Sequence, residues 1–86
     1  MIQKNITVEN ETGIHARPAG LIVREAAKYK SGITLIKGNK EYNAKSVMSV
    51  MAMAAVKGEE ITIRADGTDE DTALKAMINL IQTGLE

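Results

Sequence analysis

Residues 2–8 alternate, with Ile2, Ile6 and Val8 on one face and Gln3, Asn5 and Thr7 on the other, the period of a half-buried strand. Lys4 interrupts the inward set, as at an edge position or a frayed end. From residue 16 to about residue 30 the period lengthens, and Ala19, Ile22, Val23, Ala26 and Tyr29 fall on one stripe of a helix. Ser31-Gly32 ends it. Ile33 and Leu35 face inward along a second strand, Gly38-Asn39 forms a tight hairpin turn, and residues 40–43 make a short polar strand suited to a sheet edge.

Ser46 opens a short helix through Val47-Met48-Ser49-Val50-Met51, with the serine as its N-cap. One short helix cannot bury so many apolar side chains on one side, so Val50 and Met53 are expected inside and Met48 and Met51 outside. Lys57-Gly58 turns into a strand over 60–66, where Ile61, Ile63 and Ala65 alternate with Thr62 and Arg64. Thr68 is the expected N-cap of the last helix, with Asp71 in the capping-box position. Ala73, Leu74, Met77, Leu80 and Ile81 form its apolar stripe, and Gly84 stands where a C′ glycine belongs. Each main strand has one apolar face, so helices cover only one side of the sheet. The order βαββαβα predicts an α+β fold, a two-layer open-faced β-sandwich.

Composition narrows the class. The 86 residues show no repeat or linker and are read as one domain over 1–86, near the lower end of what a single core stabilises unaided. The chain has no cysteine, so disulfides, zinc-thiolate sites and thiol catalysis are excluded. Eleven basic residues balance eleven acidic ones, which argues against a nucleic-acid partner. No run approaches the length of a membrane span and Met1 leads into no apolar leader segment, so a cytoplasmic protein without a membrane partner is expected. Tyr29 and Tyr42 are the only aromatic residues, leaving Ile, Leu, Val, Met and Ala to build the core.

The candidate chemistry lies in Thr12-Gly13-Ile14-His15-Ala16-Arg17-Pro18-Ala19-Gly20, which holds the only histidine and the only proline. Pro18 suits the first turn of a helix, which places the helix start near Ala16 and His15 at or just before the N-cap. Backbone N–H groups there lack intrahelical acceptors and favour an anion. Arg17 adds a guanidinium suited to a tetrahedral oxyanion beside an imidazole nitrogen able to attack. A lone histidine more often caps or packs; the arginine and the proline-started helix favour phosphohistidine chemistry. Arg17, Leu21, Arg24 and Lys28 share the outer face of this helix, an apolar centre with a basic rim that fits acidic protein partners.

Gly13-Ile14-His15-Ala16-Arg17-Pro18-Ala19 resembles the active-site signature of HPr, the histidine-containing phosphocarrier family of the bacterial phosphoenolpyruvate:sugar phosphotransferase system. The likeness covers the whole chain. Lys45-Ser46-Val47-Met48-Ser49-Val50-Met51 resembles the segment of Gram-positive-type members, and Ala65-Asp66-Gly67 is similar to a third family segment. The resemblance implies sheet order 1-4-2-3, although the pattern by itself equally allows a ferredoxin-like order. It implies a carrier without cofactor or metal, not an enzyme: His15 takes a phosphoryl group on Nδ1 from phosphorylated enzyme I and passes it to enzyme IIA domains of sugar permeases. Arg17 and the amides of Ala16 and Arg17 would steady the phosphoryl oxygens. Partners would dock in turn on Gly20, Leu21, Arg24, Val47, Met48 and Met51 of a monomer. Ser46 would be phosphorylated by an HPr kinase/phosphorylase, after which the catabolite control protein would bind.

Some positions depart from the pattern. Ser49 and Ala54 stand where glycine is common in Gram-positive-type members, and Gly20 where a larger or hydroxylated residue is often found. A nitrogen-branch paralogue would share the motif, but Ser46 and its methionines favour sugar uptake. A regulatory protein acting through Ser46 alone would be expected to lack His15, and a ferredoxin-like ligand-binding domain leaves His15, Arg17 and Pro18 unexplained.

Overall fold

In the computed structural model, which describes residues 1–85, the alternating first segment is strand β1 (Ile2–Thr7). The chain continues through helix α1 (Ala16–Ala26), β2 (Gly32–Lys37), β3 (Lys40–Asn43), α2 (Val47–Met53), β4 (Glu60–Asp66) and α3 (Glu70–Thr83). The strands form one antiparallel sheet in the order β1-β4-β2-β3, which excludes the ferredoxin-like alternative.

Register places the apolar residues of neighbouring strands side by side. Ile6 pairs with Ile61, Leu35 with Ile63 and Ile33 with Ala65, and all six are buried. Helix α3 closes this face over β4 and β1 with Ala73, Leu74, Met77 and Ile81. Helix α1 lies against α3 and α2, burying Pro18, Ala19, Ile22 and Ala26. The other face of the sheet is polar. There Arg64 donates to Gln3 Oε1 at 3.1 Å and to Glu41 Oε2 at 3.1 Å, so one guanidinium links β1 to β3 across the sheet.

Three local expectations are corrected. Helix α1 stops at Ala26, because the amides of Lys28 and Tyr29 close tighter turns onto Glu25 and Ala26. Val23, Tyr29 and, in α3, Leu80 do pack against the core but are only half-buried. The N-cap of α3 is Asp69, not Thr68, and Asp69 does not cap its own helix. Its carboxylate reaches back to accept from the Lys30 and Ser31 amides at 2.9 Å each and from the Ser31 hydroxyl. Glu70 instead accepts from the Gly67 amide at 3.0 Å. Gly84 is the C-cap of α3 with φ −115°, so its backbone is not in the left-handed conformation of a C′ glycine.

Candidate functional site at the start of helix α1

The approach to α1 is set by a tight turn. The Gly13 amide donates to the Asn10 carbonyl at 3.1 Å, and Gly13 takes φ +69°, a conformation that favours glycine. Ile14 then buries its side chain, while its amide donates to the Ala55 carbonyl at 2.8 Å. The residues after α2 therefore form the floor on which this loop rests.

His15 follows as the N-cap of α1, with its carbonyl accepting from Ala19 at 2.8 Å. Its imidazole makes no capping hydrogen bond and is exposed. Pro18 is the third helical residue, where the N–H it lacks would have had no intrahelical acceptor. Two first-turn amides remain, those of Ala16 and Arg17, at the positive end of the helix. Thr12, His15, Ala16, Arg17, Pro18 and Leu85 line a shallow concavity of about 400 Å³. An exposed ring nitrogen, two amides and a guanidinium at one concavity can receive a small oxyanion.

The second candidate region lies on α2. Ser46 is its N-cap, and the Ser46 hydroxyl oxygen accepts from the Ser49 amide at 3.2 Å. The neighbouring Lys45 ammonium donates to the Tyr29 carbonyl just beyond α1 at 2.8 Å. The Ser49 hydroxyl in turn accepts from the Asn43 amide at 2.9 Å and ties α2 to the end of β3. Val50 and Met53 are buried, whereas Val47 is 41% exposed, Met48 82% and Met51 38%. The separation of inward from outward methionines is therefore as expected.

The outer face of α1 is less basic than its sequence suggests. Lys28 pairs with Glu25 at 3.0 Å, which together with the Tyr29 hydroxyl holds the Glu25 carboxyl below its ordinary range. Arg17 and Arg24 are exposed and form no ion pair among the described residues. Leu21 is half-buried against the core, so its outer part alone remains available. A Cβ at Gly20 would meet nothing within 4 Å, leaving open space on the same helix.

Sequence reasoning overlooked two parts of the site. Leu85 lines the concavity beside Thr12, and Asn10 donates from its side chain to the Gly13 carbonyl. Asn10 alone carried a signal, a turn-forming residue three positions before a glycine.

A family profile described as "PTS HPr component phosphorylation site" matches residues 2–83. The chain belongs to the HPr family. It is 47% identical over 77 residues to the phosphocarrier protein HPr of Mycoplasma capricolum, covering 90% of this chain and 86% of that protein. Against the phosphocarrier protein HPr of Treponema pallidum it is 45% identical over 86 residues, covering 100% and 98%. Its backbone is similar to the crystal structure of HPr-C-His from Thermoanaerobacter tengcongensis, with TM-score 0.94 and 41% identity over 99% of this chain and 96% of that one. An HPr of the phosphotransferase system is a phosphocarrier rather than a catalyst in its own right. No helix among the described residues is long and apolar enough to cross a membrane.

Proposed function

We propose that His15 carries the phosphoryl group of this HPr-family protein, within a single domain spanning residues 1–86. The observation behind this reading is the exposed imidazole at the α1 N-terminus, which spends no hydrogen bond on capping and shares a concavity with Arg17. The Nδ1 lone pair attacks the phosphorus presented by phosphorylated enzyme I. The new N–P bond forms as the bond from phosphorus to enzyme I breaks, and enzyme I keeps that electron pair. The Ala16 and Arg17 amides and the Arg17 guanidinium then steady the phosphoryl oxygens. An exposed site with one arginine holds the group loosely enough to release it to an enzyme IIA domain of a sugar permease. The protein acts as a cytoplasmic monomer, and both partners use one surface made of Gly20, Leu21 and Arg24 with Val47, Met48 and Met51.

Phosphorylation of Ser46 by an HPr kinase/phosphorylase is the regulatory arm. It adds about −1.5 to −2 charge beside the docking methionines, opposing acidic partners, and it creates the form that binds the catabolite control protein. Exposure of Met48 next to the capping serine favours this reading.

Intact-mass spectrometry after incubation with phosphoenolpyruvate and enzyme I, with half of the sample acid-treated, tests the carrier function. One added phosphate that acid removes is expected. No added phosphate beside an active HPr control would overturn it.

A further inference from the structure

The His15 ring makes no capping bond of its own, so the backbone entering α1 sets the direction from which it reaches a donor. That backbone is held from two sides. On one side the Ile14 amide and Gly13 abut the Ala55 carbonyl. On the other, Asn10 binds both polar groups of Gly13: its carbonyl accepts from the Gly13 amide, and its side-chain amide donates to the Gly13 carbonyl at 2.5 Å, much closer than the Thr12 hydroxyl, which reaches the same carbonyl at 3.5 Å.

Asn10 is only 4% exposed, and its Oδ1 finds no hydrogen-bond partner among the described residues. Burying an amide with one polar end unmatched is unfavourable, and an apolar side chain would avoid that cost. What the fold uses is the donor, aimed at the peptide that leads toward His15. Asn10 lies outside the residues lining the concavity, so its effect passes through the turn and not through contact with the phosphoryl group.

We infer that Asn10 is a positioning residue for His15: its side-chain N–H orients the Gly13 carbonyl and so aims the imidazole for in-line phosphoryl transfer. The inference rests on His15 being the phosphoryl acceptor. Asn10→Asp keeps the shape and removes the donor, whereas Asn10→Ala removes the whole group.

The test follows phosphoryl acceptance from phosphorylated enzyme I at subsaturating and saturating concentrations of each full-length variant, with folding checked by circular dichroism and urea titration. Both variants are expected to lose about ten- to a hundredfold in maximum rate, as misplaced reacting groups do. The KM should be unchanged, because Leu21, Met48 and Met51 are untouched. In NMR spectra the His15 ring protons and the amides of residues 13–16 should shift while those of α3 stay in place. An unchanged maximum rate with a KM raised in proportion to the unfolded fraction would overturn the inference and leave Asn10 a purely stabilising role. In the unaltered chain the Asn10 side-chain amide protons should exchange slowly with solvent, and rapid exchange would overturn the inference even if neither variant folds. Should the unaltered chain accept no phosphoryl group, the carrier proposal falls, and the ring and side-chain amide signals still decide the positioning claim.

Discussion

Gly13 faces Ala55 so closely that a Cβ on the glycine would lie 2.6 Å from the Ala55 carbonyl oxygen and 3.0 Å from the Val56 Cα. Both obstacles are backbone, so neither can swing aside. Gly13→Ala also forces an L-residue to φ +69°, and the substitution should cost of the order of 1–3 kcal/mol in a urea titration. Phosphoryl acceptance should slow as well, since relief of the contact moves the turn before His15. An unperturbed stability would show that the two loops separate freely.

His15→Ala should behave in the opposite way. The ring makes no capping bond and is exposed, so stability should stay within about 0.5 kcal/mol of the parent. Acceptance of phosphate from enzyme I should vanish in the mass assay; retained acceptance would move the site elsewhere.

Two small-residue positions are placed against conformational preference, in opposite senses. Ala54 caps α2 at φ 50°, a left-handed conformation that costs an L-residue about 1–2 kcal/mol. Ala54→Gly should therefore stabilise by roughly 0.5–1 kcal/mol once the extra chain entropy of glycine is deducted. Gly20 lies inside α1 with open space around its missing Cβ, and Gly20→Ala should stabilise by about 1 kcal/mol. Thermal melts of the two single variants and the double variant would check both values and their additivity.

Asp69 sets a pH dependence. Hydrogen bonds from the Ser31 hydroxyl and the Lys30 amide lower its carboxyl from the ordinary 3.8 to about 2. A depressed carboxylate stabilises the fold fully above its unfolded value, and that contribution is lost as pH falls from about 4 through about 2. Asp69→Asn should flatten the stability curve in this window and lower the plateau above it. Urea titrations from pH 2 to 7 give the comparison; parallel curves for parent and variant would remove Asp69 from the acid response.

Ser46 separates capping from charge. Ser46→Ala loses the bond from the Ser49 amide and should cost about 1 kcal/mol. Ser46→Asp retains a good capping group, so it should remain as stable as the parent while slowing phosphoryl transfer from enzyme I. Equal transfer kinetics in Ser46→Asp and parent would place α2 outside the docking surface.

Alternation in residues 60–66, the helical stripe from Ala19 to Ala26 and the Gly38-Asn39 turn each arise from neighbours a few positions apart, and for that reason all three were legible in the chain. So was the placement of His15 at a helix start, since Pro18 restricts its own backbone whatever surrounds it. The division between buried Val50 and Met53 and exposed Met48 and Met51 followed from how much one short helix can cover. Strand order was different: the pattern accommodated two sheets, and only pairing of β4 between β1 and β2 distinguishes them.

The sequence by itself determined the elements, their inward faces and the cluster around His15, because backbone restriction and hydrophobic period act locally. Tertiary structure alone decided what those local preferences were spent on. Asp69 is a residue type favoured at N-caps and stands at that position, yet its carboxylate accepts from the amides of Lys30 and Ser31, 39 and 38 residues away, and makes no capping bond in its own helix. The floor beneath Gly13 is likewise supplied by Ala55, from a segment whose distance along the chain conceals its contact in the fold. Hydrogen bonds and close packing depend on proximity in space, and closure of the sheet and helices brings these distant groups together.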